Sequence, residues 1–217
     1  MTKIGLAGTH RTGKTTLAKA WAARHGCDYV TLSISKILAD MGMTTKQVSD
    51  CSDTRLELQQ ELVRRSNIAF FEKAGSFISD RTPIDIAAYT LSDAIEGYYS
   101  DAQWSVVQQI VDDCIEITNN AFHCLLMLRP EPSIGYKVEP GKPMPDMAYQ
   151  MHHSIVIAGL MREEELTVPV QKMRKGKATD LPSRLAVLEH VTNTIITQAH
   201  QTEIALLKAG GHVTTLQ

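Results

Sequence analysis

The sequence predicts an α/β domain: a mainly parallel five-stranded sheet with helices on both faces, a three-layer sandwich. Three observations carry that expectation. Short apolar runs alternate with helix-length amphipathic segments along the chain. A glycine-rich turn, Gly8 to Thr15, joins the first apolar run to the first helical segment. The 217 residues are 43% hydrophobic and 21% charged, enough to bury a core without disulfides or a structural metal.

The elements follow in order. Lys3 to Ala7 reads as a buried strand ended by Gly8. Lys14 to His25 reads as a helix, with Leu17, Ala18, Trp21 and Ala22 at helical spacing. Tyr29 to Leu32 is a second short strand and Ile34 to Met41 a helix. Asp53 or Thr54 is expected to cap a long helix through Lys73, stopped by Gly75. Phe77 to Asp80 is a third strand, and helices are expected over Pro83 to Ala94 and Gln103 to Asn120. Cys124 to Leu128 is the most apolar strand. A Pro/Gly-rich stretch follows, and 133–147 within it is a candidate lid, since long loops in compact domains usually serve function. A helix near Ala148 to Arg162, a fifth strand at Leu166 to Val170, and a long helix opened by Pro182 complete one domain over 1–217. The apolar stripe of the last helix is either core or the face of a homodimer.

Composition excludes several classes. The formal net charge of −2 does not advertise nucleic-acid binding, although Lys172-Met173-Arg174-Lys175-Gly176-Lys177 forms one dense basic run. No apolar stretch is long enough to span a membrane, and the first residues run into a strand pattern rather than a signal peptide. Cys27, Cys51, Cys114 and Cys124 form no CxxC pair, so reduced thiols and a cytoplasmic location are expected (the host cytoplasm if the chain is phage-encoded).

The chemistry concentrates at two places. Gly8-Thr9-His10-Arg11-Thr12-Gly13-Lys14-Thr15 matches the phosphate-loop pattern GxxxxGK[ST] in full, between a strand and a helix. Its amides and the helix N-terminus are suited to a phosphate chain, Lys14 to the β/γ-phosphates, and Thr15 to Mg²⁺. The expected ATP-binding set is Gly8, Thr9, His10, Arg11, Thr12, Gly13, Lys14, Thr15 and Thr16. Asp80 and Arg81 lie at the end of the third strand, where open parallel sheets bind ligands. There Asp80 can hold Mg²⁺ or accept a hydroxyl proton, and Arg81 can hold an anionic acceptor. Lys14, Asp80 and Arg81 are therefore the candidate catalytic residues, with Thr15 and Asp80 toward the metal.

The segment Asp80-Arg81-Thr82-Pro83-Ile84-Asp85-Ile86-Ala87-Ala88-Tyr89 resembles the DR-x-x-x-D/S-x-x-A-Y segment of thymidylate kinases, deoxynucleoside kinases and ribosylnicotinamide kinases. Leu125 to Glu131 resembles the strand and "PE" turn before the lid of thymidylate kinases. The resemblance covers about the first 135 residues and implies a P-loop NTPase fold, with Asp80 near the metal and Arg81 near the acceptor. It also implies that the 54–73 helix flanks the acceptor, where Gln60 and Arg64 share a face. Beyond Pro132 the chain departs from that family, because the lid stretch holds Lys137 and Lys142 and no arginine.

The resulting expectation is transfer of the γ-phosphoryl of ATP, with Mg²⁺, to a nucleoside or (deoxy)nucleoside monophosphate. Two other readings are a phage-type kinase of 5-hydroxymethyluracil in DNA, and a nucleotide-binding regulator. The latter is disfavoured because no NKxD motif is present.

Overall fold

The computed structural model describes residues 1–131, 146–173, 176 and 178–208; in the last helix, side chains are described through Ile195 and at Thr197. Residues 132–145, most of the candidate lid with Lys137 and Lys142, lie outside the described residues, as do Arg174, Lys175 and Lys177.

Five parallel strands form one sheet in the order β2-β3-β1-β4-β5: β1 Lys3–Ala7, β2 Asp28–Val30, β3 Phe77–Ser79, β4 Cys124–Met127 and β5 Val170–Lys172. Side chains alternate between two cores, as the period of two requires. Ile4, Leu6, Ile78, Cys124, Leu126 and Leu128 pack beneath α1 (Lys14–His25) and α8 (Leu181–Lys208). Ala7, Phe77, Leu125 and Met127 pack on the opposite face against α4 (Ser52–Phe71), α5 (Pro83–Ile95) and α6 (Trp104–Ala121). Both faces of β4 are covered, which is why its sequence is apolar without interruption. On the second face Phe70 stacks on Phe77 and Phe122 meets both edge-on, with ring centroids 4.9–5.8 Å apart. The helix α7 (Met147–Leu160) lies against α5, and Ile157 and Leu160 join the same core.

Three boundaries correct the sequence expectation. The fifth strand begins at Val170, not Leu166. Pro169 has no N–H for a ladder and lends only its carbonyl, to Leu125 N at 2.9 Å, while Leu166 and Val168 reach the core from irregular backbone. The second strand is Asp28–Val30, and Leu32 packs from the turn leading to α2 (Ile34–Asp40). A separate short helix, α3 (Thr45–Asp50), precedes α4 and is opened by a capping box between Thr44 and Gln47. As a result α4 starts at Ser52, and Asp53 sits in its first turn, accepting from Gln103 Nε2 at 2.6 Å, instead of capping it.

Among the described residues no helix is long and apolar enough to cross a membrane.

Candidate active site

The chain crosses from β1 to α1 through residues 8–13. Gly8 has φ +148°, and a Cβ there would overlap the Leu128 carbonyl at the end of β4. Gly13 has φ 83° and ψ 14°, the left-handed conformation from which α1 starts. The two invariant glycines of the pattern thus answer to close approach and to a left-handed turn. Arg11, at φ 60°, shares the left-handed region between them. Thr9 and Thr12 are buried, and Thr12 Oγ1 donates to Thr9 O at 2.9 Å, bracing the loop from inside.

Lys14 folds into its own loop. Its Nζ donates to the carbonyls of Gly8 and, at 2.8 Å, of Thr9. Burial pushes its pKa below the usual lysine range, Asp85 and Asp80 oppose that shift, and Arg81 adds to it.

Asp80 follows directly on β3 and is 8% exposed. Its Oδ2 accepts from Thr15 Oγ1 and from Tyr29 OH at 2.7 Å, while its Oδ1 is buried with no hydrogen-bond partner among the described residues. A buried, unpaired carboxylate oxygen beside a threonine hydroxyl is a hard oxygen pair that suits Mg²⁺, which takes few protein ligands and completes its shell with phosphate oxygens and water. Among the described residues no cluster of three or more His, Cys, Asp or Glu could hold a metal, so the phosphates would have to complete that shell.

Arg81 is anchored through its backbone: its N–H donates to Ser79 Oγ at 3.2 Å, and its carbonyl accepts from the same hydroxyl at 2.6 Å. Its guanidinium makes no hydrogen bond to any described residue, yet lies near enough to act on the titration of Lys14, Asp85 and Tyr89. Lys14, Thr15, Asp80 and Arg81 are therefore brought together at the C-terminal ends of β1 and β3.

Asp85 belongs to the same assembly, although its role could not be read from the sequence. It is 2% exposed. Oδ1 accepts from Gly8 N at 2.8 Å, and Oδ2 accepts from Thr82 N at 3.0 Å, closing the capping box of α5. Burial raises its pKa, and Lys14 and the two amides pull it back. The Thr82–Asp85 spacing signals the cap; nothing local signals the link to Gly8.

His10 faces outward onto α7. Its ring lies 5.3 Å from that of Tyr149, which lies 4.1 Å from His153, itself 4.5 Å from Tyr89. Burial, first, raises the Tyr149 pKa to about 12. His153 Nδ1 bonds to the Tyr149 carbonyl at 3.0 Å, so Nδ1 carries the proton and the buried Nε2 presents a bare lone pair. Burial also holds the His153 imidazole below its usual pKa. The folded state thus resists protonation that the unfolded chain accepts near pH 6.5. Its contribution to stability is complete above that pH and is lost as pH falls toward the lower folded value. We expect the melting temperature to decline between pH 7 and pH 5.5, and His153→Gln to flatten part of that decline. Superimposable profiles of the two proteins in thermal scans would contradict this.

Gln60 and Arg64 lie elsewhere. They line a groove of about 610 Å³ between α4 and α6, with Asn67, Phe71 and Asn120, and no residue of 8–16 nor Asp80 or Arg81 lines it. Arg64 is taken up by Glu61 in a two-pronged ion pair at 2.6 and 2.7 Å, which with Arg65 holds the Glu61 carboxyl down to about 2. Of the basic run, Lys172 ends β5 and Gly176 N donates to Glu131 Oε2 at 3.1 Å.

A model of the AAA domain family matches residues 3–154. No curated protein matches the sequence. Among solved structures the chain is similar to deoxyadenosine kinase from M. mycoides with products dCMP and a flexible dCDP bound (TM-score 0.69, 12% identity, 89% of this chain and 100% of that one). It is also similar to thymidylate kinase from Candida albicans (TM-score 0.56, 15% identity, 89% and 92%). A third is the NadR protein in complex with NR (TM-score 0.63, 12% identity, all of this chain and 54% of that one). The chain shares the P-loop fold of these proteins.

Proposed function

Because the chain belongs to the AAA domain family, matched over residues 3–154, we propose that it is an ATP-dependent phosphotransferase acting on a nucleoside or deoxynucleoside monophosphate. The observation that carries this reading is the contact of Thr15 with Asp80, beside Lys14 and the Arg81 guanidinium, which bonds to no other described residue. A loop that only bound nucleotide would need Lys14 and Thr15; an acid and an arginine at the neighbouring strand end supply an acceptor side.

In this mechanism the amides of residues 8–15 and the N-terminus of α1 hold the β- and γ-phosphates. Lys14 leaves its two loop carbonyls and turns its charge onto the β/γ-oxygens. Mg²⁺, held by Thr15 Oγ1 and the free oxygen of Asp80, would supply charge neutralisation and alignment of the phosphate chain. Arg81 pairs with the acceptor and steadies negative charge on the transferred group. The acceptor oxygen attacks γ-phosphorus and the bond to the bridging oxygen of ADP breaks; a hydroxyl acceptor loses its proton to Asp80 or to solvent, and a monophosphate oxygen has none to lose. Similarity in fold to deoxyadenosine kinase and thymidylate kinase supports a nucleoside or nucleotide as the acceptor class.

The test is ADP formation from ATP across nucleosides, deoxynucleoside monophosphates and DNA containing 5-hydroxymethyluracil. The expected result is turnover stimulated by one or more of the small acceptors and not by the DNA. Turnover with the modified DNA alone would overturn the acceptor assignment. No acceptor-dependent turnover at all would overturn transfer and favour a nucleotide-binding regulator.

A further inference from the structure

Arg184 lies in the first turn of α8 and is 4% exposed. Its Nε donates to Ala178 O at 3.1 Å, and its Nη1 donates to Thr12 O at 2.5 Å, across 172 positions of sequence. As a stability device this is a poor choice. A buried guanidinium pays a desolvation penalty of several kcal/mol, and a cation near a helix N-terminus opposes the macrodipole. Burial holds the Arg184 pKa below its usual range, and Glu131 opposes that shift. Glu131 Oε2 in turn accepts from Gly176 N at 3.1 Å. Ala178 is thereby tied to the phosphate loop through Arg184, and Gly176 to Glu131, which follows β4.

The peptide that Arg184 grips matters for phosphate. In a trans peptide the C=O and the following N–H point in opposite directions, and the described chain contains no cis peptide. With the Thr12 carbonyl held toward α8, the Gly13 N–H points the other way, away from Arg184. A charged donor on the carbonyl also polarises that peptide and strengthens its N–H as a donor. Gly13 tolerates the required left-handed conformation.

We propose that Arg184 is a positioning residue for phosphate binding: it sets the plane of the Thr12–Gly13 peptide and ties that plane to Ala178. The inference rests on the reading of residues 8–15 as a nucleotide phosphate site and is independent of the acceptor.

The experiment compares wild type, Arg184→Met and Arg184→Lys in the full chain. Calorimetric titration with Mg²⁺-tripolyphosphate and with ATP is run beside steady-state kinetics, with circular dichroism as the check of folding. Arg184→Met is expected to weaken tripolyphosphate binding at least tenfold and to raise KM for ATP to match, leaving KM for the acceptor unchanged. Lysine offers no rigid fork and cannot reach both carbonyls as arginine does, so Arg184→Lys should recover only part of the loss. A folded Arg184→Met that binds tripolyphosphate as tightly as wild type overturns the proposal. If Arg184→Met does not fold, Arg184→Lys decides: a rise in KM confined to ATP supports the proposal, and unchanged affinity overturns it. Absence of tripolyphosphate binding by wild type would instead remove the phosphate-site reading on which the proposal rests.

Discussion

Lys14→Ala is expected to lower phosphoryl transfer by about 10³-fold or more while the protein remains folded. A loss of that size corresponds to about 4 kcal/mol of transition-state stabilisation, the scale on which a preorganised charge acts in a site shielded from water. Stability should change little. The ammonium donates to the Gly8 and Thr9 carbonyls, so truncation removes two hydrogen bonds. It also removes a cation whose burial already lowers its pKa, which offsets that loss. The two terms oppose, and the melting temperature should stay within about 4 °C, the shift that about 1 kcal/mol produces in a domain of this size. Turnover and thermal scans on the same preparation check both halves. A variant that keeps wild-type turnover would remove the phosphate loop from the mechanism, and a variant that loses turnover only by unfolding would leave the role of Lys14 unproven.

Much of the architecture was legible because its signals are local. The loop from Gly8 to Thr15 carries its geometry in eight consecutive residues, and the strand before it and helix after it follow directly. The continuous apolar run of β4 reported a strand covered on both faces. The position of Asp80 and Arg81 was legible because they follow directly on a buried strand, and open parallel sheets offer a cleft at such ends. The fifth strand was misplaced because Leu166 and Val168 are apolar for the sake of the core, while the hydrogen-bond ladder had to wait until Pro169 was passed. The residues of α4 expected to face the acceptor show a subtler limit. Helical spacing put Gln60 and Arg64 on one face, and they do share one, but periodicity does not say which neighbour that face meets. One residue is about 100° of rotation. Gln59, not Gln60, is the buried member of the pair, and its Oε1 has no partner. The links from Tyr29 to Asp80, Asp85 to Gly8 and Arg184 to Thr12 span 51, 77 and 172 positions. Contacts made by folding at such separations leave no periodic trace in the chain.

Asp85→Ala is expected to be the most disruptive single change to the loop that does not touch it in sequence. The carboxylate satisfies two buried backbone donors at once, Gly8 N at 2.8 Å and Thr82 N at 3.0 Å. Truncation leaves both unpaired, each at about 1–3 kcal/mol, and removes the carboxylate that faces the Lys14 ammonium. The predicted loss is about 3 kcal/mol, or a fall of about 6–12 °C in melting temperature. Function should suffer beyond that loss, because the freed Gly8 amide stands at the entry of the phosphate loop. Its position there is fixed by the lack of room for even a methyl group against the Leu128 carbonyl. Asparagine is not a remedy: its oxygen can accept from one of the two amides, but its NH₂ then points a donor at the other. Asp85→Asn should therefore resemble Asp85→Ala in KM for ATP, even if it recovers part of the helix cap. Melting within about 2 °C of wild type together with unchanged KM for ATP, in either variant, would show that α5 does not hold the loop and that Lys14 and Thr12 are enough to shape it.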